Sequence, residues 1–286
     1  MHDPNKGCPN WILDQLDGTA ELAPLREASL VIGSNYGSRW RDLQGKPYIL
    51  HTCEPWGRMD KRHEQAAHIL GYDPDGEART RLPSWIMYLD PHRDYSTPGT
   101  VTAEEVSRRR RKILAVVSDK WCPPRNMIMM AALERGMMDS MGGWMPTHPP
   151  VRSKHAVCEM YAFVLAVENG NAQPGYITEK IIDAINADAV PIYWGAEQTD
   201  INPARVIDRA NYESDAAMLD HIEELSRDPE AMAAIINQPV FLPGKDPRPH
   251  IRERVRELVA RVDDQFWQAE IDGCSIPSSG IGRLQR

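Results

Sequence analysis

Between Tyr161 and Gly195 the apolar and polar positions fall into four blocks. Phe163 to Val167 is an unbroken apolar run, the pattern of a strand buried on both faces. A polar loop follows, beginning at Glu168-Asn169 and containing Gly170, Pro174 and Gly175. Ile181, Ile182, Ile185 and Ala189 then recur on one helical face behind Thr178, a residue suited to the N-cap. Val190 to Trp194 is a second apolar run, closed by Gly195. Strand, loop, helix and strand in this order predict a right-handed crossover between parallel strands, and so the α/β class. Ligands of open α/β sheets bind at the carboxyl ends of the strands. Glu168 and Asn169 sit at that edge, beside a helix N-terminus suited to phosphate.

The rest of the chain extends the pattern. Residues 28–33 and Tyr48–Thr52 read as short strands, and Pro55 stops pairing after the second. Ile113–Ser118 begins a second half. Pro123-Pro124-Arg125-Asn126 opens a helix that runs through Leu133 and ends at Gly136. Its Met127, Met129 and Met130 read as adaptable core. Asp139–Gly143 reads as a loop, and Ala216–Leu225 as a further helix. Ile251, Val255, Leu258, Val259, Val262 and Phe266 form a helical stripe. Arg alternates with Glu and Asp on its polar face. That favours core packing, with peripheral membrane contact through this C-terminal helix as the alternative. From Gly273 the chain reads as a frayed tail. The polar stretch 92–112 is the expected boundary, giving lobes at 1–108 and 109–246 and a terminal segment at 247–286 that returns to the first lobe.

Composition narrows the classes. The 286 residues carry a formal charge of −8, which argues against nucleic acid as a bulk electrostatic partner. Arg108-Arg109-Arg110-Arg111-Lys112 is the local exception and reads as a solvated helix end or linker. Five scattered cysteines without C-x-x-C spacing suit a reducing compartment. No run approaches the ~20 apolar residues of a membrane span, and the N-terminus lacks the layout of a signal peptide. The expected location is cytoplasmic. Asp73 and Asp75 form a D-x-D, a metal-binding spacing in some enzymes, but the flanking Pro74 and Gly76 explain it as turn chemistry.

Three blocks, Glu168-Asn169, Tyr176-Ile177-Thr178-Glu179-Lys180 and Val190-Pro191-Ile192-Tyr193-Trp194-Gly195, resemble the donor-site motif of the family 10 glycosyltransferases. These are the α-1,3/α-1,4-fucosyltransferases that use GDP-fucose. Their usual wording is F-E-N-S/T, Y-V/I-T-E-K and V/I-P-V/I. Val167 stands where the family has Phe, and Gly170 where it has Ser or Thr. The resemblance implies the GT-B architecture, two Rossmann-like lobes with the active site in the cleft between them. It also implies an inverting transfer of L-fucose to a glycan hydroxyl, with no metal or other cofactor, in a chain of the soluble bacterial or viral type. The alternatives are another GDP-sugar as donor, or a noncatalytic nucleotide- or glycan-binding protein.

Such a transfer needs cations on the departing diphosphate and a base for the acceptor proton. Lys180 and Arg125 are the candidate cations. Lys180 lies in a first helical turn, where the helix dipole disfavours a cation unless an anion offsets it. Arg125 follows a strand ending in Ser118-Asp119, similar to the family's S-N and Arg. Glu179 and Tyr176 suit ribose hydroxyls, Asn169 offers a donor and an acceptor, and Thr178 caps the helix. Glu168 serves equally as ligand contact or loop anchor. Glu54 ends the strand Tyr48–Thr52 and resembles the family's G-E-N glutamate, the general base, with Cys53 and Pro55 in place of Gly and Asn. Arg81-Leu82-Pro83-Ser84-Trp85 loosely fits the family's R-x-P-L-W block. His51 is the reserve base.

Overall fold

The structure, a computed structural model, describes residues 11–16, 18, 20–34, 45–52, 64, 66–170, 173–197 and 200–273. The described residues form two compact units, one of Cys8–Pro83 with Pro247–Arg286 and one of Ser84–Asp246. Each contains a parallel sheet, which is the α/β, GT-B type of class expected. Glu54 with its neighbours Cys53 and Pro55, and the tail after Gly273, lie outside the described residues.

In the unit of 8–83 and 247–286 the sheet order is β1 (Val31–Ser34), β2 (Tyr48–His51), β3 (His68–Gly71) and β4 (Arg79–Arg81). β2 and β3 are fully buried, so alternation is absent and the short third strand leaves no periodic trace in the sequence. The helix α1 (Trp11–Leu16) packs on the C-terminal helix Arg248–Gly273. Ile251, Val255, Leu258 and Val262 are buried. The apolar stripe is therefore spent on core packing, and this corrects the membrane alternative for these residues. Among the described residues no helix is long and apolar enough to cross a membrane. Asp75 accepts the Arg81 main-chain N–H at 2.7 Å and pairs with Arg254 at 2.5 Å, so its carboxylate serves a turn and a helix contact.

His51 closes this sheet. Its Nε2–H donates to the Leu82 carbonyl at 3.2 Å, and burial pushes its pKa down to about 4. His68 accepts from Arg261 at Nδ1 (3.2 Å) and so donates from Nε2 to Thr80 at 3.0 Å. Burial, then the Arg261 charge, depress it as well. The unfolded state protonates His51 below its ordinary 6.5 while the folded state stays neutral until about 4. Stability is thus full above pH 6.5 and falls as pH drops toward 4, by about 3 kcal/mol for His51 alone. His51→Gln keeps a donor and removes the titration. Denaturant melts at pH 7 and pH 4.5 should show a smaller pH-dependent loss for the variant, and an equal loss would refute this assignment.

In the unit of 84–246 five parallel strands run in the order β6-β5-β7-β8-β9. They are β5 (Arg110–Ala115), β6 (Met138–Ser140), β7 (Tyr161–Val167), β8 (Val190–Trp194) and β9 (Ile207–Asp208). β7 is buried at every position and pairs in register with β8, Leu165 opposite Ile192. The connecting helix α5 (Glu179–Asn186) buries Ile181, Ile182 and Ile185, each contributing roughly 1.5–3 kcal/mol. The other helices are α2 (Ala103–Ser107), α3 (Pro123–Glu134), α4 (Lys154–Cys158), α6 (Asp215–Leu225) and α7 (Pro229–Ile236).

The basic run is a largely exposed helix end, as expected, that continues from the close of α2 into β5, with Arg108 on Glu104, Arg109 on the carbonyls of Ala187 and Asp188, and Arg110 and Lys112 on Asp139. Two expectations are revised. Asp139 and Ser140, expected in a loop, belong to β6. The units divide at Pro83–Ser84, whereas the polarity of the chain predicts a division after 108. The reason is that residues 85–101 are tied into the second unit. Trp85 and Tyr95 pack on Phe241, Tyr95 donates to Asn186 at 2.5 Å, and Asn186 donates to the Tyr88 carbonyl. Arg93 donates to the carbonyls that end α5 and pairs at 2.5 Å with Asp188, whose φ of 51° closes that helix.

Candidate active site

The strand order β6-β5-β7-β8-β9 reverses direction between β5 and β7. Loops leaving these two strands part at their carboxyl ends and open a crevice, the usual ligand position of such sheets. One wall is the loop from Ser118 to Cys122 and the start of α3. The other is the loop from Glu168 to Thr178 and the start of α5. Arg125 spans the crevice. Its Nη1 donates to Asn169 Oδ1 at 2.9 Å, and its Nη2 to the Asp119 carbonyl. Arg125 is buried, and its Nε has no hydrogen-bond partner among the described residues. An orphaned guanidinium N–H beside a crevice fits an anion.

The two prolines that start α3, Pro123 and Pro124, have no N–H to offer. The Cys122 side chain does not cap the helix either; its thiol donates to the Glu168 carbonyl at 3.3 Å. Cation chemistry at this helix start therefore rests on the Arg125 side chain. The loop after β6 presses on the same wall. A Cβ at Gly142 would lie 2.0 Å from the Val117 carbonyl oxygen, so only glycine fits. Trp144 N–H donates to that oxygen at 2.9 Å, and its indole N–H to Asn126 at 2.9 Å.

On the β7 side Glu168 is the hub. Its carboxylate is fully buried and accepts the Thr178 N–H at 2.7 Å, the Thr178 hydroxyl at 2.8 Å and the Lys180 ammonium at 2.9 Å. Lys180 also donates to Thr178 Oγ1 at 2.8 Å. Burial alone would depress the lysine, and Glu168 with Glu179 more than offset it, holding its pKa above the ordinary range. The anion that lets a lysine sit in the first turn of a helix is thus already built in. Its side chain stays about one-fifth exposed. Arg125 is near enough to oppose the lysine's charge.

Geometry redistributes the other sequence-predicted residues. Glu168 is a loop anchor, since none of its surface reaches solvent. Thr178 is the N-cap by position, but its hydroxyl serves Glu168 and caps no helix N–H. Tyr176 is buried and presents no open face. Glu179 is partly exposed at the helix start. Burial raises its carboxyl, and Lys180 and then Lys154 bring it below the ordinary value. Asn169 orients Arg125. Gly170, where the family has a hydroxyl, faces open space, with no atom within 4 Å of the point a Cβ would occupy.

Two supporting residues carry no motif of their own in the chain. Lys154 on α4 pairs with Asp183 on α5 at 2.5 Å, both beneath Glu179. The i,i+4 spacing of Glu179 and Asp183 is the one signal the sequence offers for them. Gly195 is required by close approach, since a Cβ there would lie 2.5 Å from the Tyr193 hydroxyl and 2.8 Å from Glu168 Cγ.

Comparison with known proteins bears on the same stretch. Residues 106–235 match the family model described as Glycosyltransferase family 10 (fucosyltransferase) C-term. An Arabidopsis thaliana alpha-(1,4)-fucosyltransferase is 38% identical over 79 residues, 27% of this chain and 20% of that protein. The Helicobacter pylori alpha-(1,3)-fucosyltransferase FucT is 35% identical over 77 residues, 26% of this chain and 16% of that protein. A Xenopus laevis GDP-fucose protein O-fucosyltransferase 3 is 22% identical across 85% of this chain and 55% of its own length. The matches thus span only 16% to 55% of these relatives. A crystal structure of an alpha1,3-fucosyltransferase superposes with a TM-score of 0.69 at 18% identity, over 89% of this chain and 84% of the other. The GDP-fucose complex of an alpha1,3-fucosyltransferase gives 0.63 at 16% identity, over 92% and 98%. The resemblance to the family 10 glycosyltransferases therefore holds over the unit that carries the site, and the fold is shared along most of the chain.

Proposed function

We propose that the protein is a GDP-fucose-dependent fucosyltransferase that moves L-fucose to an acceptor hydroxyl with inversion. The observation that carries this reading is the meeting of Arg125 and Lys180 at the switch-point crevice, inside the stretch that matches the family 10 model. In this reading the diphosphate of GDP-fucose lies against the orphaned Arg125 N–H and the exposed part of Lys180. Asn169 and Glu179 line the nucleoside side. The acceptor oxygen forms a bond to the fucose anomeric carbon as the bond from that carbon to the phosphate oxygen breaks. GDP leaves with the electron pair, and the acceptor proton passes to Glu54. Two positive groups aimed at the leaving diphosphate act where charge builds in the transition state.

Calorimetric titration with GDP, ADP, UDP and GDP-fucose, without added metal, tests the reading directly. Selective binding of GDP and GDP-fucose is the expected result. Absence of guanine preference, or of all binding, would reduce the crevice to scaffold. No role named here calls for a metal, so transfer should survive chelator. The acceptor is a glycan hydroxyl in this proposal. The protein O-fucosyltransferase similarity, which runs along most of the chain, makes a protein hydroxyl the competing acceptor, and parallel glycan and peptide screens separate the two. Donor profiling with other GDP-sugars answers the open space at Gly170. GDP release measured with acceptor present separates an enzyme from a noncatalytic binder.

A further inference from the structure

Trp121 is 76% exposed, the most exposed of the large apolar side chains among the described residues. It lies on the β5–α3 loop, on the wall of the crevice that carries Arg125. An exposed indole on a loose loop would carry little meaning, but this loop is fastened on both sides of it. The Trp121 N–H donates to Asp119 Oδ1 at 2.9 Å, Asn126 Nδ2 donates to the Lys120 carbonyl at 2.9 Å, and Arg125 holds the Asp119 carbonyl. The Lys120 ammonium sits 4.9 Å from the centre of the indole, over one face. The six residues from Lys120 to Arg125, spanning the loop and the start of α3, thus carry in a fixed frame a flat aromatic face, an ammonium beside it, and the guanidinium of the crevice.

One ligand class matches all three features at once. A nucleoside diphosphate joins a flat base to a compact double anion, whereas a neutral sugar needs neither cation. Tyr176, the aromatic residue expected on the other wall, is buried and has no face to give. We propose that Trp121 is the platform on which the base of the nucleotide donor stacks, with Lys120 bracing the indole and adding positive charge near the phosphates. The inference rests on the fucosyltransferase reading above and adds a residue that its motif does not contain. Stacking of a base on an aromatic side chain is tolerant of base identity. Trp121 therefore supplies affinity for the nucleoside, and guanine selection falls to other groups.

The test titrates the full chain, Trp121→Ala and Trp121→Phe with GDP and with inorganic pyrophosphate. Trp121→Ala should raise the Kd for GDP roughly 10-fold or more. Trp121→Phe should restore most of the affinity, and both variants should bind pyrophosphate as the unsubstituted chain does. Unchanged GDP affinity in Trp121→Ala would overturn the inference and leave the fucosyltransferase reading intact. An equal loss for GDP and pyrophosphate would also overturn it, since the defect would then lie in the phosphate site. If the unsubstituted chain binds no GDP, the fucosyltransferase reading fails and this inference with it. Unchanged GDP affinity with a raised KM for acceptor would reassign Trp121 to the acceptor side.

Discussion

Lys180→Ala is expected to lower GDP affinity and turnover together and to destabilise the fold. The side chain has two duties. In the proposed reading its ammonium meets the donor diphosphate, and it neutralises the fully buried Glu168 at 2.9 Å. Loss of a charge-assisted contact to phosphate costs about 1.5–3 kcal/mol, or roughly 10- to 150-fold in Kd. Breaking a buried ion pair from one side costs about 3–5 kcal/mol because the other charge is stranded, and the partial exposure of the lysine argues for the lower end. The two effects separate in the double variant Lys180→Ala/Glu168→Gln. It removes the stranded carboxylate, so stability should recover while GDP affinity does not. Recovery of both, or unchanged kinetics in the single variant, would end the phosphate role. The lysine's pKa is raised above its ordinary 10.5. Its contribution to stability is then full below that value and lost only as pH rises past it, so the pair is insensitive to pH through the neutral range.

Glu54→Gln should abolish transfer while GDP binding stays close to normal. Glutamine keeps the size and hydrogen-bonding capacity of the side chain but cannot take the acceptor proton, and loss of a general base costs roughly 10²–10⁴-fold in rate. Fucose transfer and GDP titration on the same preparation give both readouts. A fully active variant would remove Glu54 as the base. His51, the reserve candidate, fits the task poorly because it is buried, its Nε2–H is given to the Leu82 carbonyl, and its pKa is about 4. His51→Gln should therefore retain transfer, and a loss equal to that of Glu54→Gln would exchange the two roles.

Much of the unit of 84–246 is legible in the chain itself. The run Phe163–Val167 and the stripe Ile181, Ile182, Ile185 form β7 and α5, because strand and helix periods are local and both elements are buried as written. The helix beginning at Pro123 and its end at Gly136, where φ is 68°, follow from proline and glycine stereochemistry. Elements of three or four residues, such as β3, β4 and β6, leave no such trace or look like loop, since periodicity needs more positions than they have. The methionines of α3 show the same limit. Met129 is core as expected, but Met127 and Met130 are 63% and 51% exposed. Three apolar residues inside one helical turn do not reveal which of them faces inward.

The candidate site divides along the same line. Residue type and order, readable from the chain alone, supply Arg125 and Lys180 as cations and put them at the carboxyl ends of adjacent parallel strands. They do so because charge is a property of the residue and the crossover is a property of local pattern. What lies opposite each group depends on contacts between distant positions, and only the tertiary structure decides it. Glu168 turns inward to hold Lys180, Cys122 ties the β5 loop to the β7 loop, and Tyr176 goes into the core. Residues 85–101 join the unit of 84–246 for the same reason. Asn186, Asp188 and Phe241 complete their hydrogen bonds, ion pair and packing there, and no local pattern in the chain announces those partners.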